Sequence, residues 1–346
     1  MGEPLDLPER ATPPAGESTL SLAAPKGGSR VPVRTGPGLF GLLARKLGLG
    51  RQGKEVRHRL VEEWNIGVLN RPIESLLDED PNRDVRWLPA PAKGGSRSMP
   101  FGWHHQGQLH VVYRRTEGSG SPSAIARIRP KPEGTLKRSR MLLEGEEPYS
   151  YPCVVEHADE ILMVPEQCAL GRVDLYRFDE ATSELVLLRT LLDLPLASPT
   201  LFRYQGTWWL MGTSAGRADS ELLAFHASTL EGPFMPHAMN PLKTDVHSAR
   251  PGGTPFMVRN HLWRPVQDLG GEHPRVRINR IVALTPELFA EEERPVLKAM
   301  AGAWCGGMRT LSQVGAITLV DGLRHAPRPK RHGPIGHLLP NGRLRK

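Results

Sequence analysis

The sequence predicts an all-β fold, a five-bladed β-propeller, and three observations predict it. A proline-headed pair of strands recurs with a period near fifty residues; 36 glycines and 33 prolines punctuate the 346 residues; and one further strand-like segment lies near each end. A period of this size marks a repeat architecture whose single unit cannot bury its own faces. The abundance of turn formers suits many short strands better than long helices.

The repeat is a Pro, an apolar strand, a Gly or polar turn, and a second strand of aromatic and β-branched residues. Its copies are Met99-Pro-Phe-Gly-Trp with Leu109-His-Val-Val-Tyr, Tyr151-Pro-Cys-Val-Val with Ile161-Leu-Met-Val-Pro, and Ser198-Pro-Thr-Leu-Phe with Trp208-Trp-Leu-Met-Gly. A fourth is Arg250-Pro-Gly-Gly-Thr-Pro-Phe-Met-Val with Leu262-Trp-Arg-Pro. Pro100, Pro152, Pro199 and Pro251 are 52, 47 and 52 residues apart. Outer strands are read in Ala124–Ile128, Val173–Phe178, Glu221–Phe225 and Val276–Ile281, where alternation gives a half-buried β pattern. Blades packed around an axis need a closing partner. Asn65–Leu69, and Ala316–Val320 before a turn expected at Asp321-Gly322, are predicted to meet in a shared fifth blade. Two short helices are expected, over 55–63 and from Pro286 to Glu293 behind a Thr285 N-cap.

The domain plan that follows is a Pro/Gly/Ser-rich disordered leader over 1–36, a linker with short helices over 37–63, the propeller over 64–325 and a basic tail over 326–346. The formal charge of +8 is concentrated at the end, since no acidic residue follows Asp321 while seven Lys and Arg do. A short basic tail without interleaved aromatics argues against nucleic acid as partner. No apolar run is long enough to span a bilayer. Residues 38–51, with Leu39, Phe40, Leu42, Leu43 and Leu47 beside Arg45 and Lys46, and the tail are the two places for contact with a membrane surface. Cys153, Cys168 and Cys305 lack zinc spacing, so neither a metal nor a cofactor is expected. Scattered thiols and the lack of an export signal point to the cytoplasm. The Gly/Ser loops at 118–121 and 212–216 lack the helix start that a phosphate cradle needs.

In order along the chain, Trp64-Asn-Ile-Gly-Val-Leu, Arg86-Trp-Leu-Pro, Pro100-Phe-Gly, Ser150-Tyr-Pro, Met163-Val-Pro-Glu, Val173-Asp-Leu-Tyr, Trp208-Trp-Leu-Met, Ala249-Arg-Pro and Arg264-Pro-Val-Gln-Asp resemble bacterial relatives of the N-terminal domain of plant glucosamine inositolphosphorylceramide transferase. That group is similar to the five-bladed furanosidase superfamily of arabinanases, β-xylosidases and invertases. The resemblance implies a carbohydrate ligand at the mouth of the central channel. It also implies carboxylates around an axial funnel, because hydrolysis needs one to donate a proton and another to attack or activate water. Glu166 matches the family's glutamate and is the candidate general acid. Met99 and Ser198 stand where the family carries aspartates, and Arg309-Thr310-Leu311 replaces a His-Thr-Leu step.

With those carboxylates absent, the resemblance implies a catalytically degenerate module that recognises a glycan, a sugar phosphate or a glycolipid head group and serves glycan or glycolipid biosynthesis. A glycosidase-like enzyme using Glu166 and a protein-binding scaffold are the alternatives. Arg250 and Arg264, each before a proline, are read as a clamp for a carboxylate or phosphate, with a salt bridge between blades as the other reading. Gln267, Asp268, Tyr151, Met99, Ser198 and Arg309 complete the expected binding set. Tyr149, Trp103 and Trp208 offer flat faces for a sugar ring, although such residues also fill the gaps between blades.

Overall fold

The structure is a computed structural model and describes residues 60–77, 85–92, 94–118, 122–131 and 139–327. The leader, the 38–51 segment and the tail beyond Pro327 lie outside the described residues.

Among the described residues, twenty-one strands form five antiparallel sheets. The first two, β1 (Leu60–Leu69) and β2 (Val85–Trp87), wait for partners from the far end of the chain. Blade one is β3 (Gly95–His105), β4 (Gln108–Glu117), β5 (Ala124–Ile128) and β6 (Arg140–Leu143). Blade two is β7 (Ser150–His157), β8 (Glu160–Glu166), β9 (Val173–Asp179) and β10 (Glu184–Leu192). Blade three is β11 (Leu196–Tyr204), β12 (Thr207–Ser214) and β13 (Glu221–Ala227), edged by the short β14 (Met235–Pro236) and β15 (Lys243–Thr244). Blade four is β16 (Phe256–Val258), β17 (His261–Asp268), β18 (Arg275–Leu284) and β19 (Phe289–Glu292). The closing blade pairs β20 (Leu311–Val314) and β21 (Ile317–Pro327) with β1 and β2 in the order β2-β1-β21-β20.

The closing ladder runs without a break from Leu60 opposite Pro327 to Leu69 opposite Thr318. It occupies two stretches read otherwise in the sequence. Of the helix expected over 55–63, residues 55–59 lie outside the described residues and the rest is strand, because Glu62 and Glu63 pair with His325 and Arg324 and Glu63 accepts two hydrogen bonds from the Arg324 guanidinium. The turn expected at Asp321-Gly322 is strand. A Cβ on Gly322 would lie 2.3 Å from the Trp87 ring, so glycine serves close packing here. The propeller therefore reaches from Leu60 to Pro327, a few residues beyond the expected 64–325.

Four of the five inner hairpins turn on two residues of positive φ: Gln106-Gly107, Ala158-Asp159, Gln205-Gly206 and Arg259-Asn260. Such turns match the twist of the flanking strands. The strands read as outer ones are the third of each blade, with a further edge strand outside them. At Pro286 the N-cap forms, Thr285 Oγ1 accepting from the Glu287 and Leu288 amides, but the chain then enters β19 instead of a helix. Phe289, buried against Leu284 and Ile281, draws it onto the sheet edge.

The core is a ring of interfaces between blades. One cluster joins blades one, two and three through residues such as Phe101, Leu162 and Leu201. Another joins blade three to four through Trp209 and Ile281, a third joins four to the closing blade through Ile278 and Val320, and a fourth returns to blade one through Leu319 and Val111.

Candidate functional site

The inner strands of blades one, two and three are broken at the same place. The ladders of β3–β4, β7–β8 and β11–β12 skip between Ser98 and Phe101, Ser150 and Cys153, and Ala197 and Thr200. The residue before each proline, Met99, Tyr151 or Ser198, takes a left-handed φ of 54°, 42° or 51°. An L side chain there costs roughly 1–2 kcal/mol, so three repeats hold strained bulges around one axis.

Carboxylates brace two of them. Glu166 Oε2 accepts the Ser198 amide at 2.7 Å. Asp321 Oδ2 accepts the Met99 amide at 2.9 Å, while its Oδ1 takes the amides of Arg309 at 2.7 Å and Thr310 at 3.0 Å. Asp321 is wholly buried, and burial pushes its pKa up against the pull of these bonds. The third bulge residue, Tyr151, fills the axis. Its hydroxyl accepts the Gly253 amide at 2.9 Å and lies 3.0 Å from Thr200 Oγ1, and its ring meets Phe101 edge-on at 5.0 Å. Tyr151 is therefore a plug in the channel and not an exposed platform.

Above the bulges lies a cavity of about 520 Å³. Arg114, Arg250 and Arg309 face Glu166 across it; Met99, Ser150, Cys168 and Gln267 contribute wall, and Asp219 and Glu272 belong to the exposed rim. Arg250 is held on three sides: Nη2 donates to Glu166 Oε2 at 3.2 Å, Nη1 to Asp219 Oδ1 at 3.0 Å and Nε to Ser198 Oγ at 3.0 Å. The Arg309 guanidinium lies 4.3 Å over the Trp64 ring. Burial, together with Arg309 and Arg250 and against Glu166, pulls the Arg114 pKa below the usual guanidinium value. Burial does the same to Arg309. Arg114 Nε is a buried donor with no acceptor. Three guanidiniums thus share a floor with one carboxylate, and burial disfavours the charge on two of them, Arg114 and Arg309.

The structure brings together Glu166, Met99, Arg250, Gln267 and Arg309 of the residues expected at the site. Ser198 sits just beneath, its hydroxyl bonded to Arg250. Arg264 is elsewhere: only 1% exposed, it donates to both oxygens of Glu291 at 2.8 and 3.1 Å and to the carbonyls of Ser248 and Ala249. The expected Arg250–Arg264 clamp does not form, because Arg264 points into blade four. Asp268 is withdrawn too, bonded to His247, the Gly270 amide and Arg277. Burial alone would raise Asp268, but these partners outweigh it and hold its pKa low. Trp103 and Trp208 are buried between blades, Tyr149 packs partly buried against the same cluster, and among the described residues no aromatic side chain lines the cavity.

Arg114 was not among the expected residues, yet the repeat marks it. It follows Pro100 by the same fourteen positions that separate Glu166 from Pro152, and it pairs with Ser98 as Glu166 pairs with Ser150. A larger hollow of about 670 Å³ lies at the hairpins carrying His104, His105 and His157, on the opposite face. It touches none of the strained bulges.

The family described as glucosamine inositolphosphorylceramide transferase 1, N-terminal, matches residues 96–310. The transferase of that name from Oryza sativa subsp. japonica is 33% identical over 195 residues, which is 51% of this chain and 26% of the relative. The Arabidopsis thaliana counterpart is 31% identical over 192 residues, 51% of this chain and 25% of its own length. The chain spans about a quarter of the length of these relatives. Among solved structures, a candidate glycoside hydrolase of Parabacteroides distasonis aligns with a TM-score of 0.50 at 10% identity, covering 66% of this chain and 87% of its own. At that identity the likeness concerns the fold alone.

Proposed function

From the premise that this chain belongs to the family of glucosamine inositolphosphorylceramide transferase 1 N-terminal regions, we propose that its funnel recognises the anionic head group of a glycolipid, a phosphodiester on a polyol or sugar, without hydrolysing it. The observation that carries the reading is the floor of Arg114, Arg250 and Arg309, with a buried Arg114 Nε that has no acceptor. A buried unsatisfied donor costs about 1–3 kcal/mol, and a phosphate oxygen in the cavity would satisfy it. Arginine suits such a ligand because its planar fork donates in pairs to phosphate oxygens. The lack of an aromatic face on the cavity wall among the described residues favours charge over ring stacking as the mode of recognition. The name of the relatives supports the same ligand class, since it specifies an inositol phosphoryl lipid. Contact with a membrane surface, where such a head group resides, belongs to the same proposal.

Calorimetry with glycerophosphoinositol and with neutral inositol tests this. Saturable binding of the first and none of the second is expected, with Arg114→Ala and Arg250→Ala each weakening it roughly tenfold or more, the loss of one charge-assisted contact. Equal binding of both probes, or arginine variants that bind like the parent, would remove the proposal.

Glycoside hydrolysis is the second reading, favoured by the two carboxylates Glu166 and Asp219 at one cavity. Both are engaged by the same guanidinium, and the other bulge positions carry Met99 and Ser198. Turnover of an oligosaccharide that disappears in Glu166→Gln would establish it.

A further inference from the structure

Three residues from separate segments meet at the seam between blade four and the closing blade. Glu62 on β1 and His325 on β21 are direct cross-strand partners, so their side chains leave the same face of the sheet. His273, in the connector from β17 to β18, sets its ring 4.8 Å from that of His325, tilted by 50°. Its Nδ1 stands 4.0 Å from Glu62 Oε1. One ligand atom from each residue lies within 4.8 Å of the other two.

A plain ion pair does not account for this arrangement. At 4.0 Å the histidine nitrogen and the carboxylate are beyond hydrogen-bond distance, and His273 Nδ1 is buried with no hydrogen-bond partner. Two imidazoles in ring contact would repel each other if both were protonated. An ion with bonds of about 2.0–2.2 Å to nitrogen and oxygen holds tetrahedral ligand atoms about 3.4 Å apart, so small rotations of the exposed Glu62 and His325 side chains would complete the set.

The geometry points to a divalent transition-metal site made by Glu62, His273 and His325. Two imidazoles and one carboxylate select zinc over calcium or magnesium, which take oxygen ligands. Three protein ligands leave a fourth position open. The connector that supplies His273 also supplies Leu269, Gly271, Glu272 and Pro274 to the cavity wall. An ion here therefore ties one wall of the funnel to the strands that close the ring. The site stands apart from the anion reading, since its ligands are not those of the funnel floor.

The test uses the untagged full chain after dialysis against a chelator. Zinc titrated by calorimetry is expected to bind one ion per chain, to raise the melting temperature where calcium and magnesium do not, and to be replaceable by cobalt with visible d–d absorption. Removing an outer-shell partner of a metal site already costs 10–100-fold in affinity, so His273→Ala, Glu62→Gln and His325→Ala should each weaken zinc by at least about tenfold. Glu62 and His325 are exposed, so those two variants should melt like the metal-free parent, which separates ligand loss from misfolding. The doubly substituted His104→Ala, His105→Ala chain should bind as the parent does. Failure of the parent to bind zinc, triad variants of unchanged affinity, or loss of binding in the His104/His105 variant would overturn the assignment.

Discussion

At Glu166 one carboxylate oxygen holds two things in place, the strained Ser198 amide and the Arg250 guanidinium. Glutamine keeps an acceptor for the amide and removes the charge. If the funnel binds an anion, Glu166→Gln should tighten it by ~1 kcal/mol, about fivefold, whereas a general acid would lose its turnover; calorimetry and an oligosaccharide assay on the same variant tell the two apart. Burial pushes the Cys153 thiol up to about 12 and the Cys168 thiol to about 11, while Cys305 is exposed. Iodoacetamide is thus expected to label Cys305 in the native protein and the other two only after denaturation, read by peptide mass. Single residues were legible to the extent that the repeat or the family resemblance marked them: Glu166 and Arg250 by motif, Arg114 by a register that the motif did not advertise. Arg264 shows the limit. It shares the Arg-Pro signature of Arg250, but its direction depends on Glu291, a partner 27 residues away in sequence on another strand of blade four.

Where blade three meets blade four, Lys243 of β15 joins the buried Arg264–Glu291 pair, with Lys243 Nζ 2.9 Å from Glu291 and Arg264 bonded to both of its oxygens. Burial would raise the Glu291 carboxyl, but Arg264 and Lys243 outweigh it and hold it below its ordinary value of 4.5. A carboxyl depressed in the folded state stabilises above its unfolded pKa, and that contribution is lost as the pH falls through the folded value. The chain should therefore lose stability below about pH 4.5, and Glu291→Gln should flatten this acid limb in melts taken across pH. Removing one member of a buried pair costs about 3–5 kcal/mol, so Arg264→Ala should lower the melting temperature strongly while its folded fraction binds the anionic probe like the parent. The hairpins offer the opposite sign. Ala158 and Asp159 adopt φ of 49° and 61°, positions that favour Asn and Gly, and the paired substitution Ala158→Asn with Asp159→Gly should raise stability in denaturant melts by ~1 kcal/mol. Strand elements were legible because periodicity and proline spacing report them directly. The helix expectations failed at residues 60–63 and 286–293, where local composition competed with ladder partners: Glu63 with Arg324, and Phe289 with the edge of β18.

For the whole molecule the decisive event is ring closure, which joins residues 249 to 267 positions apart in the β1–β21 ladder. The sequence showed four repeats and two leftover strands, and closure follows because neither leftover can bury its faces alone. What it could not show is how blade four meets the closing blade: ahead of β16 the chain bridges Pro251 to Val266 within blade four and then Gly253, in parallel, to Leu311 of the closing blade. The approach at Gly253 is closer than any side chain permits. A Cβ built there would lie 1.6 Å from the Leu311 carbonyl oxygen, and φ is +145°. The Gly253 amide also donates to the Tyr151 hydroxyl, so the same residue seats the plug beneath the funnel. Gly253→Ala must either push β20 outward or withdraw from Tyr151, and it should destabilise by at least about 3 kcal/mol. Gly206 is the matched control: its φ is +83°, but a Cβ there would meet nothing within 4 Å. Gly206→Ala carries only the conformational strain, ~1 kcal/mol. Denaturant melts that rank the two variants equally would mean that the seam yields at little cost. A large gap, with weakened binding of the anionic probe by Gly253→Ala alone, would place ring closure and funnel geometry under the control of one contact.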